Sequence, residues 1–316
     1  MSANVLTAVR DALPRLSSSE ARVAEAIIAD PTLVVDLTIT DLAIVCGTSL
    51  STVARFCQTV GYSGYREFRM EVASAVSREA AERDRFGLAD SDISPDDSAD
   101  DVLAKIAYHE VLAIEQTVAG LDTTALDAVV DAIDAAGHVD LYGFGASGLT
   151  AQDLQQKLAR IGISAFCSVD IHLALVSAAL RKKKDVAIGI SHSGLTTETI
   201  NALAAARDSG ATTVAITNSP ESPIVEFADF VLLTRARESS YRMGAMSSRI
   251  AQLALVDFLF VRIAQRRHGD VAAPLRRTHE VTESHRLASK RKRAGNGNGD
   301  GTGDGTGDER ESSAGR

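Results

Sequence analysis

Short runs of apolar residues alternate with helical patterns through the C-terminal half of the chain. Five such runs predict β-strands, at residues 138–144, 164–169, 185–190, 212–217 and 230–234. Strands of this kind, separated by helices, are typical of a parallel sheet covered on both faces. Right-handed crossovers then favour the strand order 2-1-3-4-5, in which the winding reverses between strands one and three. We expect ligands to bind at that switch point, beyond the carboxyl ends of these two strands.

The N-terminal third has a different pattern, which is helical throughout. Residues 40–46 predict a short helix, Gly47 a turn, and residues 49–59 a second helix. Ala43 places a small residue at the helix crossing, Gly47 permits the turn, and Val53 is apolar where the second helix packs back. This spacing fits a helix-turn-helix, and equally a plain αα-hairpin.

In the helix-turn-helix interpretation, the start of the second helix projects side chains toward base edges in the major groove. Arginine donates to base edges or to phosphates, and hydroxyl groups suit either. The candidate DNA contacts are therefore Ser49, Ser51, Thr52 and Arg55.

The third predicted strand runs into a loop of hydroxyl residues and one glycine. Ser191, Ser193 and Thr196 lie there, beside the free N–H groups of a helix that begins near Thr196 or Thr197. Unpaired donors, a positive helix dipole and the close backbone approach that Gly194 allows together suit a phosphate group. The loop has no lysine and no G-x-x-x-x-G-K-[ST] pattern, which excludes a nucleotide P-loop. The predicted ligand is a small phosphate ester.

A second loop of similar character follows the first strand. Gly143, Gly145 and Gly148 have the G-x-G-x-x-G spacing of dinucleotide sites, with Ser147 between the last two. The acidic residue that such sites carry about 20 residues further on is only partly supplied by Asp170, so the match is weak. Because the two loops follow strands one and three, they converge on one pocket. A sugar phosphate fits that pocket better than a dinucleotide, and we predict no cofactor and no metal.

These residues resemble the SIS (sugar isomerase) domain, a phosphosugar-binding fold. The resemblance covers roughly residues 126–265 and is carried mainly by Gly-Phe-Gly-Ala-Ser147 and Ser-His-Ser-Gly-Leu-Thr196. It implies a sugar-phosphate site whose predicted members are Ser147, Ser191, Ser193, Thr196, Gly145, Gly194 and Glu238. For any one of the hydroxyl residues an ordinary helix cap is the commonest role. Three hydroxyls in six positions, facing a second loop, favour a binding site for the set.

The N-terminal segment closely resembles the DNA-binding domain of the RpiR family of bacterial regulators. Thr-Val-Ala-Arg-Phe56, then Gly-Tyr-Ser-Gly-Tyr65 and Phe68, carry this resemblance, while Thr48 stands where the family usually has an apolar residue. RpiR-type regulators join this domain to a C-terminal SIS domain, in the order found here. The resemblance implies a transcriptional regulator whose SIS domain senses a phosphorylated sugar and alters operator binding.

An enzyme is the alternative function, because sugar-phosphate isomerases and lyases also contain SIS domains. Such chemistry needs a general base and usually an acid in the pocket. The candidates are His172, His192, Glu198 and Glu238, and their positions single out no acid/base pair. A helix-turn-helix domain also has no role in the isomerisation of a sugar phosphate. We therefore predict a regulator rather than an enzyme.

Net charge is the main objection to DNA binding, because phosphate contacts normally need a basic surface. The 316-residue chain has a formal charge of −9, and residues 1–80 contain seven Arg against nine Asp and Glu. We expect weak non-specific affinity, and a homo-oligomer, at least a dimer, for tight binding to double-stranded operator DNA. The strongly apolar helix over 246–264 is equally a candidate for that subunit contact and for intradomain core.

The predicted fold class is α plus α/β, with an all-helical domain followed by a five-stranded parallel sheet of flavodoxin-like order. The predicted segments are a helix-turn-helix domain (1–78), a linker and connecting helix (79–120), an SIS domain (121–268) and a disordered tail (286–316). Charge and Ser-Pro mark residues 79–101 as unfolded or loosely held. Glycine alternating with Asn, Asp and Thr, after a Lys-Arg-Lys-Arg cluster, marks the tail.

Composition fits a cytoplasmic protein with no membrane partner. The sequence contains no signal-peptide pattern near Met1 and no apolar run of membrane-spanning length. The sequence has three cysteines, Cys46, Cys57 and Cys167. They are too few and too far apart in the sequence for a disulfide framework or a zinc site.

Overall fold

The chain folds around separate hydrophobic cores, one among N-terminal helices and the others on the two faces of a β-sheet. The computed structural model describes residues 5–238 and 244–283. The tail predicted over 286–316 lies outside the described residues.

The first core lies within six helices that match the predicted helical domain. They are α1 (Val5–Ala12), α2 (Ser18–Ala29), α3 (Thr32–Asp36), α4 (Ile39–Val45), α5 (Leu50–Thr59) and α6 (Tyr65–Arg85). A capping box of Ser17 and Glu20 starts α2, in which the Glu20 carboxylate accepts from the Ser17 N–H at 3.2 Å and from the Ser17 hydroxyl at 2.5 Å. Phe56 and Phe68 fill the centre, both fully buried, with their rings edge to face at 5.6 Å.

The prediction of a loosely held linker is wrong for the segment that joins α6 to α7 (Ala99–Gly120). The Lys105 ammonium, inside α7, donates to both carboxylate oxygens of Asp97 at 2.8 and 2.9 Å, and to the Asp92 carbonyl at 2.6 Å. This hydrogen bonding to Asp97 raises the pKa of Lys105 and keeps it charged. The sequence shows a run of charge, which is typical of disorder, but these charges pair within the chain and fasten the linker to α7.

The second half contains the predicted five-stranded sheet. Its strands are β1 (Val139–Gly143), β2 (Ala165–Ser168), β3 (Val186–Ile190), β4 (Thr212–Thr217) and β5 (Phe230–Leu233). All pairings are parallel, and the strand order is β2-β1-β3-β4-β5, which confirms the predicted order. The helices of this half are α8 (Thr123–Asp134), α9 (Ala146–Arg160), α10 (Ile171–Ala178), α11 (Thr197–Asp208), α12 (Ser247–Arg266) and α13 (His268–Glu283).

Helix α12 buries its apolar side chains within the chain itself. Leu255, Leu259 and Ile263 are fully buried in the core that β1, α8 and α9 also line. The helix also packs along α7. Val261 remains exposed, at 51% of its surface. Most of α12 is therefore intradomain core, which favours that alternative over a subunit contact.

Asp140 places a fully buried carboxylate in the middle of β1. It accepts hydrogen bonds from Tyr142 Oη at 2.8 Å and Ser177 Oγ at 2.7 Å, and Arg181 Nε lies at 3.3 Å. Since Ser177 belongs to α10 and Arg181 follows it, the cluster ties this helix to the sheet. Burial beside this carboxylate also raises the pKa of Tyr142.

Candidate functional site

Two loops leave the sheet side by side at its switch point. Gly143, the last residue of β1, pairs with Ile190, the last residue of β3. The loops that follow these strands therefore start at adjacent positions on the carboxyl edge, as the sequence predicted. All four predicted hydroxyl residues lie in these loops or in the first turns of the helices that follow them.

The loop after β3 is shaped by its own hydroxyl groups. Ser191 Oγ accepts a hydrogen bond from the Gly194 N–H at 3.1 Å and lies 3.0 Å from Thr196 Oγ1. Ser191 is only 2% exposed, so its hydroxyl holds the loop from beneath. Ser193 is exposed, and its Oγ accepts from the Leu195 N–H at 3.2 Å. Ser193 and Thr196 are thus the more accessible hydroxyls of the three.

Thr196 is the N-cap residue of α11, but its side chain makes no capping hydrogen bond. Its Oγ1 lies against Ser191 instead. The ordinary role of such a residue, a helix cap, is therefore not what this threonine performs. The N-terminal end of the 12-residue helix carries a positive partial charge, and it faces the loop without a cap from its own N-cap side chain.

Gly194 occupies a position where no other residue fits. Its φ is +65°, and a Cβ built on it would lie 1.9 Å from Ser222 Oγ and 2.4 Å from Ser222 Cβ. Ser222 is buried and donates to the Ser219 carbonyl at 2.8 Å. The segment after β4 therefore packs directly against the loop after β3. The sequence did not predict this contact, although Ser222-Pro in that segment is a turn signal that points to it.

The loop after β1 is short. Helix α9 begins at Ala146, because Gly145 turns the chain at φ +60° and serves as its N-cap. Ser147 is consequently in the first turn of the helix. The end of β1 and the first turn of α9 approach each other so closely that both carry glycine. A Cβ on Gly143 would lie 2.6 Å from the Ser147 carbonyl oxygen, and one on Gly148 would lie 2.9 Å from the Gly143 carbonyl oxygen.

A glutamine on α12 holds Ser147 in place. Gln252 Nε2 donates to Ser147 Oγ at 3.2 Å, and its Oε1 lies 3.3 Å from Thr150 Oγ1. Gln252 is 1% exposed, so the bond lies inside the protein. Gln252 was not predicted from the sequence, because the pattern of an apolar helix does not indicate which of its polar residues faces a loop.

Glu238 is bonded to the start of α12. Its Oε1 accepts from the Ser248 N–H at 2.8 Å and its Oε2 from the Met246 N–H at 3.4 Å. A carboxylate at a helix N-terminus is favourable on dipole grounds. In this structure Glu238 thus anchors the helix that carries Gln252, and its approach to a ligand stays a prediction.

The predicted acid/base candidates are spread over several elements. His172 is exposed on α10 and Glu198 is exposed on α11. The His192 carbonyl accepts from the Asn218 N–H at 3.0 Å. Glu238 is engaged with α12.

The N-terminal domain has helix-turn-helix geometry. Helices α4 and α5 meet at 100°, which lies within the range of that motif, whereas an αα-hairpin would run antiparallel. Gly47 has φ +57° at the turn, and Ala43 and Val53 are buried where the helices pack.

Among the described residues, no single helix is long and apolar enough to cross a membrane, and α4 with α5 passes that criterion only as a bent pair.

The predicted DNA contacts differ in their accessibility. Ser51 is exposed, and Arg55 has 63% of its side chain exposed, with Nε 3.8 Å from Glu20 Oε1. Ser49 is the N-cap of α5 and accepts from the Thr52 N–H at 3.2 Å. The prediction that Thr52 projects from the helix is wrong: it is 6% exposed and its Oγ1 lies 2.9 Å from Ser49 Oγ, because the α5 face that carries Val53 turns into the core.

Sequence comparison agrees with both halves of this geometry. The profile of the SIS domain matches residues 132–262, and that of the helix-turn-helix domain of the rpiR family matches residues 3–79. An uncharacterized HTH-type transcriptional regulator of Caldanaerobacter subterraneus subsp. tengcongensis is 37% identical over 284 residues, which cover 90% of this chain and 99% of that protein. This chain belongs to the RpiR family of transcriptional regulators. Its SIS domain lies C-terminal to its helix-turn-helix domain, as the sequence predicted.

Two solved structures are similar to the RpiR regulator described here. The Vibrio vulnificus NanR protein, complexed with ManNAc-6P, has a TM-score of 0.57 and 28% identity, and the match covers 90% of this chain and 100% of NanR. The sugar isomerase domain of an RpiR transcription factor from Sphaerobacter thermophilus has a TM-score of 0.53 and 27% identity, over 57% of this chain and 98% of that domain.

Proposed function

We propose that the protein binds a phosphorylated sugar at the switch point of its SIS domain and changes its affinity for operator DNA in response. The observation that carries the proposal is the N-terminus of α11, where Thr196 does not cap the helix and Ser193 is exposed. An anion there gains both the helix dipole and hydroxyl donors. The ManNAc-6P bound to NanR supports a sugar phosphate as the class of ligand.

Contacts between the two halves support an effect of the ligand on DNA binding. The Asn218 side chain accepts from the Ala236 N–H at 2.7 Å. The Asn218 backbone N–H donates to the His192 carbonyl in the loop after β3, here called the phosphate loop (residues 191–196). Arg235, next to Ala236, makes an ion pair of 2.6 Å with Asp11 on α1. A short series of hydrogen bonds thus joins the pocket to the DNA-binding domain. In this proposal the two domains are residues 1–78 and 121–268, joined by residues 79–120.

An uncovered apolar face on α10 supports a homo-oligomer. Leu173 and Val176 on α10 and Leu180, two residues after the helix ends, are 58%, 61% and 65% exposed. Exposed patches of this kind mark interaction surfaces in folded proteins. If two copies of α10 pack antiparallel about a two-fold axis, Asp170 at one end faces the lysines 182–184 that follow the other, so charge favours a second copy.

A regulator accounts for the molecule better than an isomerase does. Catalysis needs an acid and a base close to one substrate atom, whereas Glu238 is held by the backbone of α12 and Glu198 is exposed on α11. The helix-turn-helix domain would also have no part in isomerisation. As a regulator of transcription that answers to a phosphorylated metabolite, the protein would work in the cytoplasm.

A thermal-shift screen against a panel of phosphosugars tests the ligand. A sugar phosphate at about 100 times its dissociation constant should stabilise the protein by about 2.7 kcal/mol. The double variant Ser193→Ala/Thr196→Ala should lose about 2–5 kcal/mol of binding free energy for the ligand so identified. Ser209→Ala, at the far end of α11, is the matched control and should bind as the wild type does. Unchanged affinity in a folded double variant would refute the pocket.

A titration of operator DNA tests the response. Operator affinity should change by about 5–150-fold when the confirmed ligand is added, at fixed salt because phosphate contacts depend on ionic strength. Incubation of the same ligand with the protein alone should yield no isomer. Identical DNA-binding curves with and without ligand, together with turnover of the sugar, would favour the enzyme instead.

A further inference from the structure

The recognition helix α5 has an outward apolar residue at its first position. Leu50 is 49% exposed, whereas the other large apolar residues of this helix, Val53 and Phe56, are fully buried. Nothing in the core therefore explains a leucine here. The first turn of such a helix is the part that enters the major groove.

The hydroxyl groups beside Leu50 are already engaged with one another. Ser49 Oγ lies 2.8 Å from Ser51 Oγ and 2.9 Å from Thr52 Oγ1, and it accepts from the Thr52 N–H. In this cap, the hydroxyl group of Ser49 forms its hydrogen bonds within the helix itself. Of the outward groups in the first two turns, Leu50 and Arg55 are the large ones.

We propose that Leu50 contacts the C5-methyl group of a thymine and so fixes one position of the operator. In the major groove the thymine methyl is the apolar group that distinguishes a T·A pair, and apolar side chains read it. This inference rests on the proposed DNA binding, and it adds a specificity-determining residue that was not among the predicted contacts. With two subunits on a two-fold operator, the position occurs once in each half-site.

The test removes only the methyl group. A duplex is first selected from a random pool with the full-length protein, and each thymine is then replaced by deoxyuridine. Binding is measured by fluorescence anisotropy at fixed salt, for the wild type and for Leu50→Ala. In the wild type, a deoxyuridine at that position of one half-site should weaken binding about fourfold, the equivalent of about 0.8 kcal/mol for one buried methyl. In Leu50→Ala the same replacement should have no effect.

Two further variants make the result specific. Ile44→Ala removes another exposed apolar side chain, 72% exposed on α4, and should keep the full deoxyuridine penalty. Arg55→Ala should weaken binding to every duplex without changing that penalty. A penalty that persists in Leu50→Ala, or no deoxyuridine effect at any position, would overturn the inference while leaving DNA binding intact. If the wild type selects no sequence at all, the proposed function fails as well, so the two failures are distinguishable.

Discussion

At the scale of single residues, Gly194 shows how closely two segments meet beneath the phosphate loop. A side chain there would collide with Ser222, and the left-handed φ of +65° disfavours any residue other than glycine. The sequence predicted that this glycine allows a close approach, but it assigned the approach to the ligand. In the structure, Ser222 occupies the space on the Cβ side of Gly194, and the approach of a ligand to the backbone there stays a prediction.

The variant Gly194→Ala should therefore distort the loop and destabilise the protein. We expect a loss of roughly 1–3 kcal/mol in the free energy of unfolding and a marked loss of phosphosugar affinity. Gly162→Ala is the matched control, since Gly162 has φ +79° but nothing within 4 Å of its Cβ position. Denaturant unfolding and ligand titration of both variants check this. If the two variants lose equal stability, the loss in Gly194→Ala is due to backbone strain alone and not to the contact with Ser222.

Glu20 links the start of α2 to the recognition helix. Hydrogen bonding from Ser17 lowers its pKa below the ordinary 4.5, and nearby Arg55 lowers it further. A carboxylate with a depressed pKa stabilises the fold above its unfolded-state value, and this contribution is lost as the pH falls through the lower, folded-state value.

Glu20→Gln should cost about 0.3–1 kcal/mol of stability at neutral pH, because it removes a negative charge from the first turn of α2 while the amide oxygen can still accept from Ser17. Stability curves measured from pH 7 to pH 3 should also fall less steeply for the variant below pH 4.5, because the titrating group is gone. Glu25→Gln, on the same helix, provides the control. If both variants show the wild-type acid dependence, the capping box does not contribute to it.

At the scale of elements, the sequence was sufficient for whatever a local pattern determines. All five strands were predicted to within two residues at each end, and Ser49 and Gly47 marked the helix-turn-helix. It was insufficient where the outcome depends on distant partners. Asp140 inside an apolar strand is acceptable only because Ser177 and Arg181 approach it, and Lys105 turns a charged run into an ordered linker.

The uncovered face of α10 yields a prediction about assembly. Leu173→Glu/Leu180→Glu places two carboxylates on that face, where burial of unpaired charge costs several kcal/mol. We expect the variant to be monomeric in light-scattering measurements at concentrations where the wild type is not, and to bind operator DNA weakly.

Val261→Glu separates this surface from the earlier candidate on α12. Val261 is also exposed, at 51%, but the other large apolar residues of its helix are buried or half-buried within the domain. The wild-type mass should persist in this variant. If Val261→Glu is monomeric and the α10 variant keeps the wild-type oligomeric state, the subunit contact lies on α12 and not on α10.

At the scale of the whole molecule, the two domains meet through two ion pairs. Asp11 and Arg235 are 25% and 13% exposed, so their 2.6 Å contact is largely shielded from solvent. Arg15 and Glu221 form a second pair at 2.6 Å, but the arginine is 66% exposed and the pair is correspondingly weaker. Glu221 precedes Ser222, which lies against Gly194 in the loop after β3, and Arg235 precedes Ala236, whose N–H donates to Asn218, which in turn donates to His192 of that loop.

Breaking the shielded pair should uncouple the domains without emptying the pocket. Asp11→Asn and Arg235→Gln should each reduce the ratio of operator dissociation constants with and without phosphosugar, from the wild-type value of about 5–150-fold toward unity. The double variant should be no worse than either single variant, since both remove the same interaction. Asp127→Asn breaks the pair of Asp127 with Arg262, a 2.7 Å contact within the SIS half, and should leave the ratio unchanged. Ligand affinity in the absence of DNA should change little in all of them. A wild-type ratio in folded Asp11→Asn protein would show that the ligand reaches the DNA-binding domain by another route, such as the subunit contact on α10.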